Sequence, residues 1–114
     1  MSKKRAVVYD GKMDAACIRL CDALNKVPGI HTTESCCGHG KQNFVVFFSA
    51  LTLESLRPIL AELDSGNRWP WDVKAYRWSG SGTIGFCLEG PVGTTKQDAE
   101  LLGKKILARL TESA

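Results

Sequence analysis

The sequence predicts an α+β fold in a single domain, a mostly antiparallel sheet covered by helices in the order β-α-β-β-α-β-β-α. Three observations carry this. Three segments place apolar residues at helical spacing. Strand-like runs lie between them, and two pairs of these runs are joined by short glycine loops that suit antiparallel neighbours. The chain has 114 residues, the length of one domain with one packed core.

Residues 5–9 read as a short strand. Residues 13–25 read as a helix, because Met13, Cys17, Leu20, Cys21 and Leu24 fall at i, i+4, i+7, i+8 and i+11. Pro28-Gly29 ends it. Residues 30–35 are extended, and their threonines suit a strand. Residues 43–49 (Asn-Phe-Val-Val-Phe-Phe-Ser) form a strand apolar enough to be central in its sheet.

A second helix follows with Leu53, Leu56, Leu60 and Leu63 on one face. Pro58 requires either a start near Ser55 or a bent first turn, because an interior proline removes a hydrogen bond. Ser65-Gly66-Asn67 closes this helix. Residues 71–78 and 83–89 read as a hairpin joined by Ser79-Gly80-Ser81-Gly82. After the turn Gly90-Pro91-Val92-Gly93, a last helix covers residues 96–111, burying Ala99, Leu102, Ile106 and Leu110. Thr95 is its N-cap, with Asp98 at the third position.

The middle of the chain reads as two copies of an α-β-β unit. Gly38-His39-Gly40 in the first copy corresponds to Gly80-Ser81-Gly82 in the second. The first loop carries reactive side chains and the second is bland.

Hydrophobic residues at 44%, charged residues at 24% and a net charge of +3 describe an ordinary globular chain, short of the basic stripe of a dedicated nucleic-acid binder. No run approaches the roughly 20 apolar residues that cross a bilayer. The N-terminal Lys3-Lys4-Arg5 is followed by too short an apolar stretch for a signal peptide. The expectation is a cytoplasmic protein without membrane contact. Its five cysteines, odd in number and without a scaffold spacing, are read as reduced thiols.

The densest chemistry is the segment Thr32-Thr33-Glu34-Ser35-Cys36-Cys37-Gly38-His39-Gly40-Lys41. Zinc prefers thiolate and imidazole ligands in C-x2-4-C pairs. Adjacent cysteines on a strand point to opposite faces, and no second Cys/His pair appears elsewhere. A metal is therefore not expected, and zinc is not expected as a cofactor. Thiol chemistry is a second option, with Cys36 or Cys37 activated by His39. Alternation turns one of these cysteines to the core, and Cys17 and Cys21 lie on the apolar stripe of the first helix.

Recognition without covalent chemistry is the third option. Glycine amides with Ser35, His39 and Lys41 suit an anion-binding concavity. Trp69, Trp71 and Trp78, with Arg68 and Arg77 interleaved, offer faces for a base to stack on. Glu89, at a strand end, is placed to orient His39 or to bind a ligand hydroxyl.

The segment from Pro28 to His39 resembles the Thr-x-Ser-Ser-Cys-Ser-Gly-Arg segment of wybutosine-synthesis methyltransferase proteins. Trp78-Ser79-Gly80-Ser81-Gly82 and Leu88-Glu89-Gly90-Pro91 echo that family's Ser-Gly and Leu-Glu-x-Pro segments. The resemblance implies an α+β domain acting on a modified guanosine of tRNA, with S-adenosylmethionine as methyl donor. Ser35, Cys36 and Gly38 carry over from the motif. His39 stands for its arginine and Cys37 for its second serine, which removes a fixed positive charge.

The leading expectation is a domain that binds a nucleotide-derived or other anionic small molecule at the 35–41 loop, as a sensor or sequestering protein and as a homodimer. Ser35, Cys36, Gly38, His39, Gly40 and Lys41 would line the site, with Trp71, Arg77, Trp78 and Glu89 contacting the rest of the ligand. The enzyme alternatives are an S-adenosylmethionine-dependent RNA methyltransferase and a thiol-dependent enzyme using Cys36 and His39. A third class is a protein-interaction module built on the tryptophan segment.

Overall fold

A computed structural model describes residues 14–78 and 84–113, without the side chains of Arg77, Trp78, Glu112 and Ser113. The strand expected at 5–9 and the connection at 79–82 lie outside the described residues. The elements are α1 (Ala15–Asn25), β1 (Ile30–Cys36), β2 (Phe44–Ala50), α2 (Arg57–Leu63), β3 (Asp72–Trp78), β4 (Ile84–Gly90) and α3 (Lys96–Ser113). The four strands form one antiparallel sheet in the order β1-β2-β4-β3. The α+β class and the order of the described elements are those the sequence predicts.

The sheet is built from two α-β-β units. Each hairpin contributes one inner and one outer strand, and the inner strands β2 and β4 pair with Phe47 opposite Cys87. Their bounds differ by a constant offset (44 to 84 and 50 to 90, 40 positions each). Each hairpin also carries one register irregularity, between Thr32 and Glu34 and between Ala75 and Arg77. The described parts of the two copies thus share architecture down to the bulge.

Alternation sorts the sheet's faces. Phe44, Val46, Phe48 and Ala50 of β2 are buried, as are Phe86 and Leu88 of β4. They share one core with Cys17, Leu20, Cys21 and Leu24 of α1, Ile59 of α2, and Ala99, Leu102 and Ile106 of α3. The helices therefore cover one face. On the other, Phe47 and Tyr76 meet edge to face, with ring centroids 4.9 Å apart. Helices α1 and α3 approach closely at Gly103, where an added Cβ would stand 3.2 Å from Cβ of Ala23. The end of α1 is tied to β1 by Asn25, whose amide accepts from the Thr32 N–H and donates to its hydroxyl, both at 2.8 Å.

Helix α3 starts with the reciprocal cap read from the sequence. The Asp98 N–H donates to Thr95 Oγ1, and the Thr95 N–H donates to Asp98 Oδ2, each at 3.1 Å. The second helix differs from expectation. A 3-10 turn at Leu53–Leu56 precedes α2, which places Pro58 in the first helical turn, where its missing N–H costs no hydrogen bond. The three-residue period of that turn shifts the buried stripe to Leu56, Ile59 and Glu62, leaving Leu53 and Leu60 exposed. Among the described residues, no helix is long and apolar enough to cross a membrane.

Candidate functional site

The site is assembled where β1 ends. Cys36 makes the last pair of the hairpin, opposite Val45, and the chain then leaves extended conformation at Cys37 (φ −76°, ψ −5°). Three consecutive residues follow with positive φ: Gly38 at 81°, His39 at 53° and Gly40 at 78°. Such backbone suits glycine and costs most other residues energy, so His39 is held there by its surroundings. Gly38 is required on a second count, because an added Cβ would stand 2.8 Å from the carbonyl oxygen of Asn43. The Lys41 and Gln42 N–H groups both donate to the Gly38 carbonyl, at 2.9 and 3.0 Å, closing the loop.

Asp14 joins this loop from the start of α1. It occupies the N-cap position, yet its side chain makes no hydrogen bond to the helix. Its Oδ2 instead accepts the Cys37 N–H at 3.0 Å and lies 3.8 Å from Nε2 of His39. On the other side of the ring, Nδ1 of His39 is 3.6 Å from Sγ of Cys37. Sγ of Cys36 accepts the Gly38 N–H at 3.4 Å. One ligand-type atom each from Asp14, Cys36 and His39 lies within 4.8 Å of the other two. Opposite-face alternation applies only to extended backbone, and the turn at Cys37 brings both thiols around one imidazole.

Cys17 and Cys21 belong to the core. Burial pushes the Cys17 thiol up to about 12 and the Cys21 thiol up to about 11, against an opposing hydrogen bond from Ser35 in each case. Cys87 is buried and its thiol is also raised, chiefly by desolvation. Cys37 packs against the edge of the core. Burial there, reinforced by the neighbouring Asp14 carboxylate, raises its thiol despite a hydrogen bond from the His39 backbone.

The structure thus gathers Cys36, Gly38, His39, Gly40 and Lys41 in one exposed loop and separates the remaining candidates from it. Ser35 pairs with Val46 on the helix-covered face, where its hydroxyl opposes the rise of the Cys17 and Cys21 thiols. Trp71 is buried, with its ring 5.4 Å from that of Phe44 in an edge-on contact. Trp69 donates its Nε1–H to Glu62 at 2.7 Å. Glu89 accepts from Asn43 Nδ2 at 2.7 Å and from Lys74 Nζ at 2.8 Å, and both contacts hold its carboxyl below the ordinary range. The side chains of Arg77 and Trp78 lie outside the described residues. Trp69 and Trp71 also line an open groove against α2 with Leu53, Leu60 and Val73.

Asp14 is the site residue that sequence reasoning missed. The available signal was its type and place: an acid directly before an apolar-periodic helix is an N-cap candidate. Comparison with protein-family models, with curated proteins and with solved structures finds no match to this chain.

Proposed function

We propose that this chain is a small-ligand-binding domain whose recognition site is the Gly38-His39-Gly40-Lys41 loop, backed by Asp14 and Cys36. One observation carries the reading. His39 is held at a left-handed backbone position with its side chain 67% exposed, between a carboxylate and a thiol that contact opposite edges of its ring. A ring so positioned and so open to solvent is presented rather than packed.

The amides of Cys37, Gly38, Lys41 and Gln42 are already taken up within the loop. Side chains rather than a nest of N–H groups therefore hold the ligand, with His39 and Lys41 facing it. A nucleotide-derived or other small anionic molecule is the class this pair serves best. A panel of nucleotides, S-adenosylmethionine and small carboxylates is the test, read as a rise in melting temperature of the full chain. His39→Asn keeps a residue that tolerates left-handed backbone, and Lys41→Ala removes the neighbouring cation. A ligand whose effect survives both substitutions would show that the site lies elsewhere.

Thiol chemistry is supported by the 3.6 Å contact between Cys37 and His39. The raised Cys37 thiol works against it, because the thiolate is the nucleophile. Retained binding with no covalent product at Cys37 separates the two readings.

A further inference from the structure

We infer that Asp14, Cys36 and His39 form a binding site for a transition-metal dication of the zinc class. The inference rests on the loop being the binding site and names what that site holds. The three residues come from the start of α1, the end of β1 and the left-handed loop, and the fold brings one donor atom from each within 4.8 Å of the others.

The spacing suits a tetrahedral ion. Metal–ligand distances of about 2.0–2.3 Å place neighbouring ligands about 3.3–3.8 Å apart. Asp14 Oδ2 and His39 Nε2 already stand 3.8 Å apart. The widest pair needs to close by only about 1 Å to reach that geometry, a small side-chain adjustment around an exposed imidazole. The donor set of one thiol, one imidazole and one carboxylate selects zinc, cobalt or copper over magnesium or calcium, which take oxygen ligands.

Each ligand is also oriented by a neighbour, as ligands at metal centres usually are. The Cys37 N–H holds the Asp14 carboxylate at 3.0 Å, and the Gly38 N–H holds Cys36 Sγ at 3.4 Å. Cys37 Sγ meets Nδ1 of His39 at 3.6 Å, leaving Nε2, the nitrogen beside Asp14, to face the ion. Three protein ligands leave a fourth position, on the side where His39, Gly40 and Lys41 are exposed. An anionic group bound there would be held by the ion and by Lys41. This explains how a loop that contains a carboxylate and has the amides of Cys37, Gly38, Lys41 and Gln42 taken up can take an anion.

The test uses the full chain without an affinity tag, stripped with a chelator and titrated with Co²⁺, then with Zn²⁺. The expected result is one cobalt per chain, with thiolate-to-cobalt charge-transfer absorption that zinc abolishes. Cys36→Ser should remove that absorption and weaken zinc binding at least tenfold. His39→Asn should weaken it comparably, while Cys87→Ser should leave it unchanged. Circular dichroism of each metal-free variant, matched to the metal-free parent, verifies folding.

Absence of charge-transfer absorption at saturating cobalt overturns the inference. So does wild-type zinc affinity in both Cys36→Ser and His39→Asn. A nucleotide shift that persists in the chelator-stripped chain, with no cobalt spectrum, overturns the metal site and leaves the ligand-binding reading standing. Cobalt binding through Cys36 with no response to the ligand panel does the reverse.

Discussion

The carboxylate of Asp14 accepts the backbone N–H of Cys37 at 3.0 Å, joining two residues 23 positions apart. An acid at an N-cap ordinarily serves its own helix, but this one reaches across to the hairpin loop. Asp14→Ala leaves a partly buried donor without its acceptor and should cost about 1–2 kcal/mol in denaturant unfolding. Asp14→Asn keeps an acceptor oxygen and should cost less than about 1 kcal/mol, chiefly through the lost charge at the helix start. Equal losses in the two variants would mean that charge rather than the hydrogen bond ties the loop.

The two glycines of the loop should respond differently to alanine. At Gly38 the added Cβ meets the Asn43 carbonyl oxygen at 2.8 Å, whereas at Gly40 it meets nothing within 4 Å. Gly40→Ala therefore bears only the left-handed backbone penalty, about 1–2 kcal/mol. Gly38→Ala adds a clash with main chain and should reach about 3 kcal/mol. Unfolding free energies in the reverse order would show that the loop relaxes around residue 38.

His39 has the opposite signature. Its φ of 53° suits glycine better than histidine, and its ring is mostly exposed. His39→Gly should be neutral or raise stability by up to about 1 kcal/mol while abolishing metal and ligand binding. A gain in stability with a loss of binding marks a residue kept for function rather than folding. A loss above about 1 kcal/mol would show that the ring's contacts with Asp14 and Cys37 outweigh the strain.

Much of this was legible because it is local. Helices α1 and α3 declare themselves by period, and the Thr95–Asp98 cap lies within four residues. The Gly-His-Gly turn is a sequence word. What escaped depended on phase or on distance. The 3-10 turn before α2 moved the buried stripe from Leu60 to Ile59. The bulge between Thr32 and Glu34 put Thr32 and Ser35 on one face, where strict alternation would have opposed them, and so turned Ser35 to the helix-covered side. Asp14 belongs to the site only because α1 packs beside the end of β1.

The five thiols should separate into two classes. Cys17 and Cys21 are fully buried, with thiols pushed up to about 12 and about 11, and Cys87 is buried with a raised thiol. Cys36 and Cys37 are only half-buried. Brief iodoacetamide treatment of the native, metal-free chain near neutral pH should label Cys36 and Cys37 alone, as read by peptide mass spectrometry. Labelling of Cys17 at a comparable rate would show that the core beneath the site opens readily.

Glu62 should govern the acid limb of stability. Its carboxylate is 3% exposed and accepts from Asn67 Nδ2 and Trp69 Nε1 at 2.7 Å and from Arg109 Nε at 2.8 Å. Burial alone would raise its pKa, but these hydrogen bonds and the Arg109 charge outweigh it, and the carboxyl is held below its ordinary value. A carboxyl lowered in the folded state binds protons more tightly when unfolded, so its contribution is present above the unfolded value near about 4.3. It is lost as pH falls from about 5 through the folded value. Glu62→Ala removes the acceptor that Asn67, Trp69 and Arg109 share and should cost about 3 kcal/mol at pH 7. Glu62→Gln should flatten the decline of the denaturant midpoint between about pH 5 and 3 relative to the parent. If parent and Glu62→Gln lose stability along parallel curves, the acid sensitivity belongs to other carboxylates.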